Sequence, residues 1–399
     1  MRHQVPSWGS TPDVMPTAWG PAAEMAGADA AERLMLDTAA AWFHAGHGAD
    51  QVAVVDDRSG SITLGLLAES GGPPFDGRGL RCGQDALSEE CRMQRQAARR
   101  GLTTRLEAIT RTRGVEEALV SGARTVLLTL PKSLETLADW SWLIAENAAT
   151  DVVVLAGGRD KHMNRSMNQV LADHFEDVVP GRGRGKARVL TARGPRRGRP
   201  APGPRRRTHA ELTDLGLSEG LTLCATGAVH GGTALDPGTR LLLATLAEQE
   251  ISLSGSVVDL GCGNGSIAAW TALRNPQTQV IAVDESASAG ASTRITAEAN
   301  HVAEQVRLVR DDGMSSWADG SAETILLNPP FHRGAAVDPT AAHRLIRHAA
   351  RALSPGGRLF CVWNSHLRHR SVLQREVGRT HQLARNPKFT VTVSVKSPR

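Results

Sequence analysis

Short apolar runs recur along this chain, each set off by a stretch of helical periodicity, and that alternation narrows the possible folds more than any other feature. "QVAVV", "RTVLLTL", "DVVVLAGG" and "KARVLTA" lie in the first half, and "SVVDL", "QVIAVD", "VRLV", "ETILL" and "GRLFCVW" in the second. Between them fall helical segments such as "ADAAERLMLDTAAAWF", "SLETLADWSWLIAENA", "SIAAWTALR" and "AAHRLIRHAARAL". Strands joined by helical crossovers imply an α/β fold with largely parallel sheets. The closing "KFTVTVSVK" alternates strictly and is expected as an antiparallel strand at a sheet edge.

The alternation breaks once. Residues 181–212, "GRGRGKARVLTARGPRRGRPAPGPRRRTHAEL", hold too much Pro, Gly and Arg to form a core, so most of the segment is expected as linker or an exposed strand-and-loop edge. A chain of 399 residues suits two domains. The expected organisation is a loose tail over 1–25, a first domain over 26–193, a basic linker over 194–217 and a second domain over 218–399. The net charge of +5 tilts toward a polyanionic partner. The five cysteines are scattered and never spaced as CxxC, which points to a reduced, cytoplasmic protein with no thiolate metal site. No run is apolar enough to span a membrane, and the first residues lack a signal-peptide core.

"SVVDLGCGNGS", residues 256–266, is a strand entering a glycine turn and then a helix. Gly261, Gly263 and Gly265, with Cys262 between them, allow positive φ and bring the backbone close to a ligand. Open α/β sheets bind ligands at this end of their strands. Dehydrogenases use a related loop, so GxGxG alone decides little. Asp259, two residues before the first glycine, suits a cationic or hydroxyl-bearing ligand better than a pyrophosphate. Asp284 ends the next strand, where a carboxylate accepts ribose hydroxyls. Asp311 and Asp312 follow the third strand; one is placed to meet an adenine amino group, and Asp312 is preferred by loop position.

"ETILLNPPFHRG", residues 323–334, stops a strand on Asn328, Pro329, Pro330 and Phe331. Prolines cannot continue a ladder. With the glycine loop and the ribose-type acid, NPPF resembles the class I S-adenosylmethionine-dependent methyltransferases that act on exocyclic or amide nitrogens. "VHGGTALDPGTRLLLATL", "LIRHAARALSPGGRLFCVWNSHL" and "NPKFTVTVSVK" further resemble the bacterial ribosomal-RNA guanine-N2 methyltransferases of the RsmC/RlmG type. The resemblance covers residues 218–399 and implies that Asp236, Gly238 and the glycine loop line S-adenosylmethionine. It implies that Asn328, Pro329 and Phe331 hold the guanine amino group. Arg333 departs from the acidic residue or Gln often found there. An adenine-N6 or glutamine-N5 methyltransferase shares this corner, and a non-catalytic RNA-binding assembly factor is the other alternative.

The first half carries a worn copy of the same pattern. "AVVDDRSGSITLGL" set beside "SVVDLGCGNGSIAAW" matches Asp56 with Asp259, and "TVLLTLPKS" beside "TILLNPPFH" places Thr129 at Asn328 and Lys132 at Phe331. The expectation is two tandem Rossmann-like class I methyltransferase domains, the first degenerate and serving structure or RNA binding. The expected partner is ribosomal RNA, a ribosomal subunit or an assembly intermediate, met by a monomer. Eleven basic residues from Arg182 to Arg207 are either a phosphate-binding run or a mobile linker. Arg344, Arg347, His348 and Arg351 share one helix face, expected to be solvated.

Overall fold

The computed structural model describes residues 27–69, 79–330, 332–333, 336–337, 339–367 and 369–397. The tail read over 1–25 lies outside them. The chain divides into two compact units, Met1–Pro202 and Gly203–Arg399.

The first unit holds β1 (Val52–Val55), β2 (Leu80–Gln84), β3 (Thr110–Arg113), β4 (Thr125–Thr129), β5 (Val153–Arg159), β6 (Phe175–Pro180) and β7 (Ala187–Pro195). They form one sheet in the order β3-β2-β1-β4-β5-β7-β6. The first five run parallel, and β7 lies antiparallel between β5 and β6. β1 is buried at every position and β4 at all but its last, as helices on both faces require. The flanking helices have capped starts. Asp29 and Glu32 form a reciprocal capping box on the Ala30–His44 helix, and the Ser133 hydroxyl accepts from the Thr136 amide. Leu36, Phe43, Ile62, Leu64 and Met93 fill the core beside the sheet; each such side chain contributes about 1.5–3 kcal/mol on burial.

The second unit opens with β8 (Arg205–His209), which pairs antiparallel with β9 (Leu221–Ala225). Next come β10 (Ser256–Leu260), β11 (Gln279–Asp284), β12 (Val306–Arg310) and β13 (Ala322–Leu327). A short hairpin, β14 (His332–Arg333) and β15 (Ala336–Val337), precedes β16 (Leu353–Asn364), β17 (Gly378–Arg385) and β18 (Phe389–Lys396). The main sheet has the order β12-β11-β10-β13-β16-β18-β17, which is the order of the first unit strand for strand. Again the last two strands are antiparallel additions. The protein is an α/β chain whose two units repeat one Rossmann-like sheet order, as the sequence led us to expect. The carboxyl ends of β10, β11, β12 and β13 bring residues 261–265, Asp284, Asp311 and Asn328 to one edge of the sheet.

Four expectations need correction. β18 is not the edge strand; β17 covers it. "GRTHQLAR" carries only one buried position, the polar, half-exposed pattern of an edge, and hid from a search for apolar runs. The segment read as linker contains β8, whose Arg-rich outer face conceals a ladder made by backbone groups. The basic run is also not a free tether: Arg184 pairs with Asp37, Arg188 bonds the Gly181 carbonyl at 2.9 Å, and Arg196 bonds that of Phe175 at 3.2 Å.

The fourth concerns the alignment of the two copies. In the sheets Val52 pairs with Thr125 and Val257 pairs with Thr324, so Val52 corresponds to Val257. Asp56 then stands at Gly261 and Gly60 at Gly265, two residues away from the pairing of Asp56 with Asp259. The backbone agrees, with φ of +59° and +79° at the first pair and +79° and +78° at the second.

Candidate active site

β10 delivers the chain into the turn of residues 261–265. The Gly261 and Cys262 amides both donate to the Val283 carbonyl, at 2.8 and 3.1 Å, and the Gly265 amide closes onto the Cys262 carbonyl at 2.8 Å. Gly265 is required by packing, since a Cβ there would lie 2.8 Å from the Thr293 Cα. Gly261 and Gly263 differ: a Cβ on either would meet nothing within 4 Å. Their positive φ and open faces leave bare backbone facing free space, which is the form a ligand-binding turn takes. Cys262 points inward, where the Thr293 hydroxyl reaches its Sγ at 3.2 Å and burial pushes the thiol far above its usual range. It can line a ligand only through its backbone.

Asp259 is fully buried. Its Oδ2 accepts the Ala268 amide at 3.0 Å, at the start of the Ser266–Arg274 helix. Its Oδ1 is buried without a hydrogen-bond partner among the described residues. Desolvation pushes the carboxyl up to about 8, opposed by the Ala268 amide and reinforced by Asp284. Asp284 ties the site together, with Oδ2 accepting the Gly263 amide at 3.1 Å and Oδ1 the Ser286 amide at 2.9 Å.

Beyond β12 the two aspartates separate. Asp311 turns inward and takes the amides of Ser315 and Ser316 at 2.7 and 3.1 Å, plus both hydroxyls. Asp312 is half-buried and pairs with Arg344 on the Pro339–Ala352 helix. That helix face was expected to be solvated. Instead His348 bonds the Gly313 carbonyl at 2.9 Å, and Arg351 reaches the Met314 carbonyl and Asp319, each at 2.7 Å. Of the four residues on that face, Arg347 alone is exposed. The other three clamp the segment after β12.

Asn328 follows the last residue of β13, and the buried Pro329 and exposed Pro330 end the strand there. Phe331 lies outside the described residues. The Asn328 Nδ2 donates to the Thr239 Oγ1 at 2.8 Å and to the Asp236 Oδ2 at 2.9 Å. Its Oδ1 is buried and unpartnered among the described residues. Asp236 also caps the Pro237–Glu248 helix through the Thr239 amide at 2.9 Å. Gly238 makes room for this cap, because a Cβ there would lie 3.0 Å from the Asp236 Oδ2 and 3.2 Å from the Phe389 ring. Two residues of this site were missed in the sequence. Thr239 is visible only as the N3 position of a capped helix. Asn264 donates to the Gly232 and Ala234 carbonyls at 2.9 and 3.1 Å, joining the glycine turn to the segment before that helix.

Residues 220–393 match the family described as Methyltransferase small domain, and residues 20–196 match the RLMG N-terminal domain. A curated protein of Shewanella amazonensis named Ribosomal RNA large subunit methyltransferase G is 33% identical over 275 residues, covering 68% of this chain and 69% of that one. The chain belongs to the ribosomal RNA large subunit methyltransferase G family. The protein of the same name from Streptomyces coelicolor is 35% identical over 276 residues, covering 68% of this chain and 71% of its own. Among solved structures, the T. thermophilus 16S rRNA N2 G1207 methyltransferase (RsmC) in complex with AdoMet and guanosine aligns with a TM-score of 0.72. It shares 19% identity over 92% of each chain, so it carries the fold of both units. Among the described residues no helix is long and apolar enough to cross a membrane.

Proposed function

We propose that the second unit transfers a methyl group from S-adenosylmethionine to the exocyclic N2 amino group of a guanine in large-subunit ribosomal RNA. The observation that carries this reading is the Asn328 carboxamide, whose two donor positions are engaged while its buried Oδ1 is unpartnered. A buried acceptor without a donor costs about 1–3 kcal/mol. An amine brought to it would relieve that cost. The large-subunit assignment rests on the relatives' name, and guanine N2 on the resemblance of the NPPF corner and on the RsmC enzyme that shares the fold.

The residues present fit the cofactor. Gly261 and Gly263 offer open backbone, Asp259 a buried carboxyl oxygen unpartnered among the described residues, and Asp284 a carboxylate at the end of β11, bonded to the turn through the Gly263 amide. Cys262 and Gly265 shape the same turn, Asn264 bonds it to the segment that leads to Asp236 and Gly238, and Asp312 follows β12 in its pair with Arg344. S-adenosylmethionine supplies an electrophilic methyl group on a positively charged sulfur.

The guanine amino nitrogen is a weak nucleophile because its lone pair is delocalised into the ring. The Asn328 Oδ1 and the Pro329 carbonyl accept its two hydrogens, which draws the lone pair out of conjugation and aims it. Pro329 and Pro330 hold that carbonyl rigid, so little reorganisation accompanies the reaction. Phe331 offers a ring for a base taken out of its stack. Bound there, S-adenosylmethionine would supply the methyl group to the aimed nitrogen, its sulfur keeping the electron pair of the broken C–S bond. The proton then leaves the acidic methylated nitrogen to water, so no general base is required.

The first unit, without the open glycines, serves to hold RNA and support the fold. The protein acts as a monomer in the cytoplasm, on ribosomal RNA free or within an assembling subunit. Purified protein, labelled cofactor and unmodified ribosomal RNA, followed by nucleoside analysis, test the reading. The expected product is N2-methylguanosine in large-subunit RNA. N6-methyladenosine, or no product on any ribosomal RNA, would overturn it.

A further inference from the structure

Asn328 acts only if its carboxamide faces the right way, and rotating its terminal bond exchanges an acceptor for a donor. The orientation is set by two side chains from a different element. Thr239, buried in the first turn of the Pro237–Glu248 helix, takes one Nδ2 hydrogen on Oγ1 at 2.8 Å. The exposed Asp236, the cap of the same helix, takes the other on Oδ2 at 2.9 Å. That same carboxylate oxygen accepts the Thr239 amide at 2.9 Å, which closes a triangle of three residues. A carboxylate is acceptor-only when ionised. The flipped carboxamide would set Oδ1 against it and lose the Asp236 bond, whereas the Thr239 hydroxyl, donor as well as acceptor, anchors the group beside that carboxylate. The helix cap therefore doubles as an orienting device, and Gly238 keeps the space it needs.

We propose that Asp236 and Thr239 are positioning residues for methyl transfer, locking the Asn328 carboxamide with Oδ1 toward the incoming amine. This rests on the methyltransferase reading above and changes the part that the resemblance implies for Asp236, from lining the cofactor to holding the catalytic amide. Neither side chain touches the reacting atoms. Their effect is on geometry, where misplacement by about 1 Å can cost 100-fold.

The test is single-turnover transfer at saturating cofactor and RNA, with cofactor affinity measured separately by calorimetry. Asp236→Ala and Thr239→Val are expected to slow transfer by about 10- to 100-fold while cofactor affinity changes less than about threefold. Thr239→Ser, which keeps the hydroxyl, should recover most of the loss. Asp236→Asn retains a helix cap, so a slower rate there separates positioning from loss of the helix. In an Asn328→Ala background neither substitution should slow transfer further, because the group they orient is gone. Weakened cofactor binding with an unchanged saturated rate would overturn the proposal, and so would losses that add in full to Asn328→Ala.

A readout that needs no substrate keeps this distinct from the functional reading. The Asn328 side-chain NH2 resonances, identified by their disappearance in Asn328→Ala, should exchange with solvent about tenfold faster in Thr239→Val. If wild-type protein methylates no RNA, the functional reading fails and the exchange rate still decides the positioning claim. Unchanged exchange overturns it.

Discussion

The strand-to-helix corners after β1 and after β10 are the same length, yet one leaves open glycine backbone and the other does not. Both pass through a positive φ at the first loop residue and at the last, and both enter a helix on a serine, Ser61 or Ser266. Gly60 and Gly265 are glycine for one reason: a Cβ would lie 2.9 Å from Met93 or 2.8 Å from Thr293, on the helix that follows the next strand. Each corner also buries a carboxylate that takes the amide of the third helical residue. Asp57 bonds Thr63 at 2.7 Å, and Asp259 bonds Ala268 at 3.0 Å. These two acids leave the chain three places apart in the aligned loops, one in the turn and one in the strand, and reach the same helix amide.

The differences lie elsewhere. Gly261 and Gly263 become Asp56 and Arg58, and these two pair with each other at 2.7 Å where the second unit leaves its backbone bare. Asp56 keeps φ at +59°, a conformation strained for a residue with a Cβ. The sheet register sets Gln84 at the place of Asp284. Its amide donates to the Asp57 carbonyl at 2.6 Å instead of offering oxygens outward. Thr129 replaces Asn328. The familiar DxGxGxG signature therefore mixes two requirements. The last glycine and a buried acid belong to the fold, whereas on the proposed function the first two glycines, the strand-end acid and the asparagine serve the ligand and the reaction.

Copying one copy into the other tests this division. The largest effect is expected from Gly263→Arg, which imports Arg58 into the open turn. It should abolish measurable cofactor binding, a loss above about 100-fold, because a side chain at φ +53° both strains the turn and fills it. Binding within about threefold of wild type, measured by calorimetry, would break the comparison. Asp57→Ala and Asp259→Ala should have matching structural costs, since each strands a buried helix amide worth about 1–3 kcal/mol. Hydrogen exchange of the Ser61–Glu69 and Ser266–Arg274 helices measures this. Faster exchange in one helix only would show that the two acids are not equivalent.

The smallest effect is in pH dependence. Burial raises the Asp259 carboxyl to about 8, so the folded chain keeps a proton that the unfolded chain releases near pH 4. Protons bound in excess by the folded state mean that stability is greatest below that lower value and falls as pH rises toward 8. Asp259→Asn should flatten the decline across this window. An unchanged slope in denaturation midpoints taken from pH 4 to 8 would refute it.

The sequence showed the parallel core plainly because strands such as "SVVDL" and "ETILL" are buried on both faces and read as apolar runs. The edge strands β3, β6 and β17 were harder, as each is largely exposed and none shows a continuous apolar run. The site residues that lie at strand ends were legible, since glycines, acids and prolines interrupt an apolar pattern. Their partners were not. Thr239 meets Asn328 across 89 residues of chain, and nothing in its neighbourhood marks it apart from a helix cap. The register of the copies was misjudged because an aspartate was matched to an aspartate by letter, when the buried carboxylate had moved along the loop and kept its destination.

Asn328→Thr, which writes the Thr129 of the first unit into the second, tests the central claim most directly. Single-turnover methyl transfer to ribosomal RNA should fall by about 100- to 1,000-fold, as loss of a preorganised polar partner implies, while calorimetry finds cofactor affinity unchanged. Transfer at the wild-type rate would contradict the account.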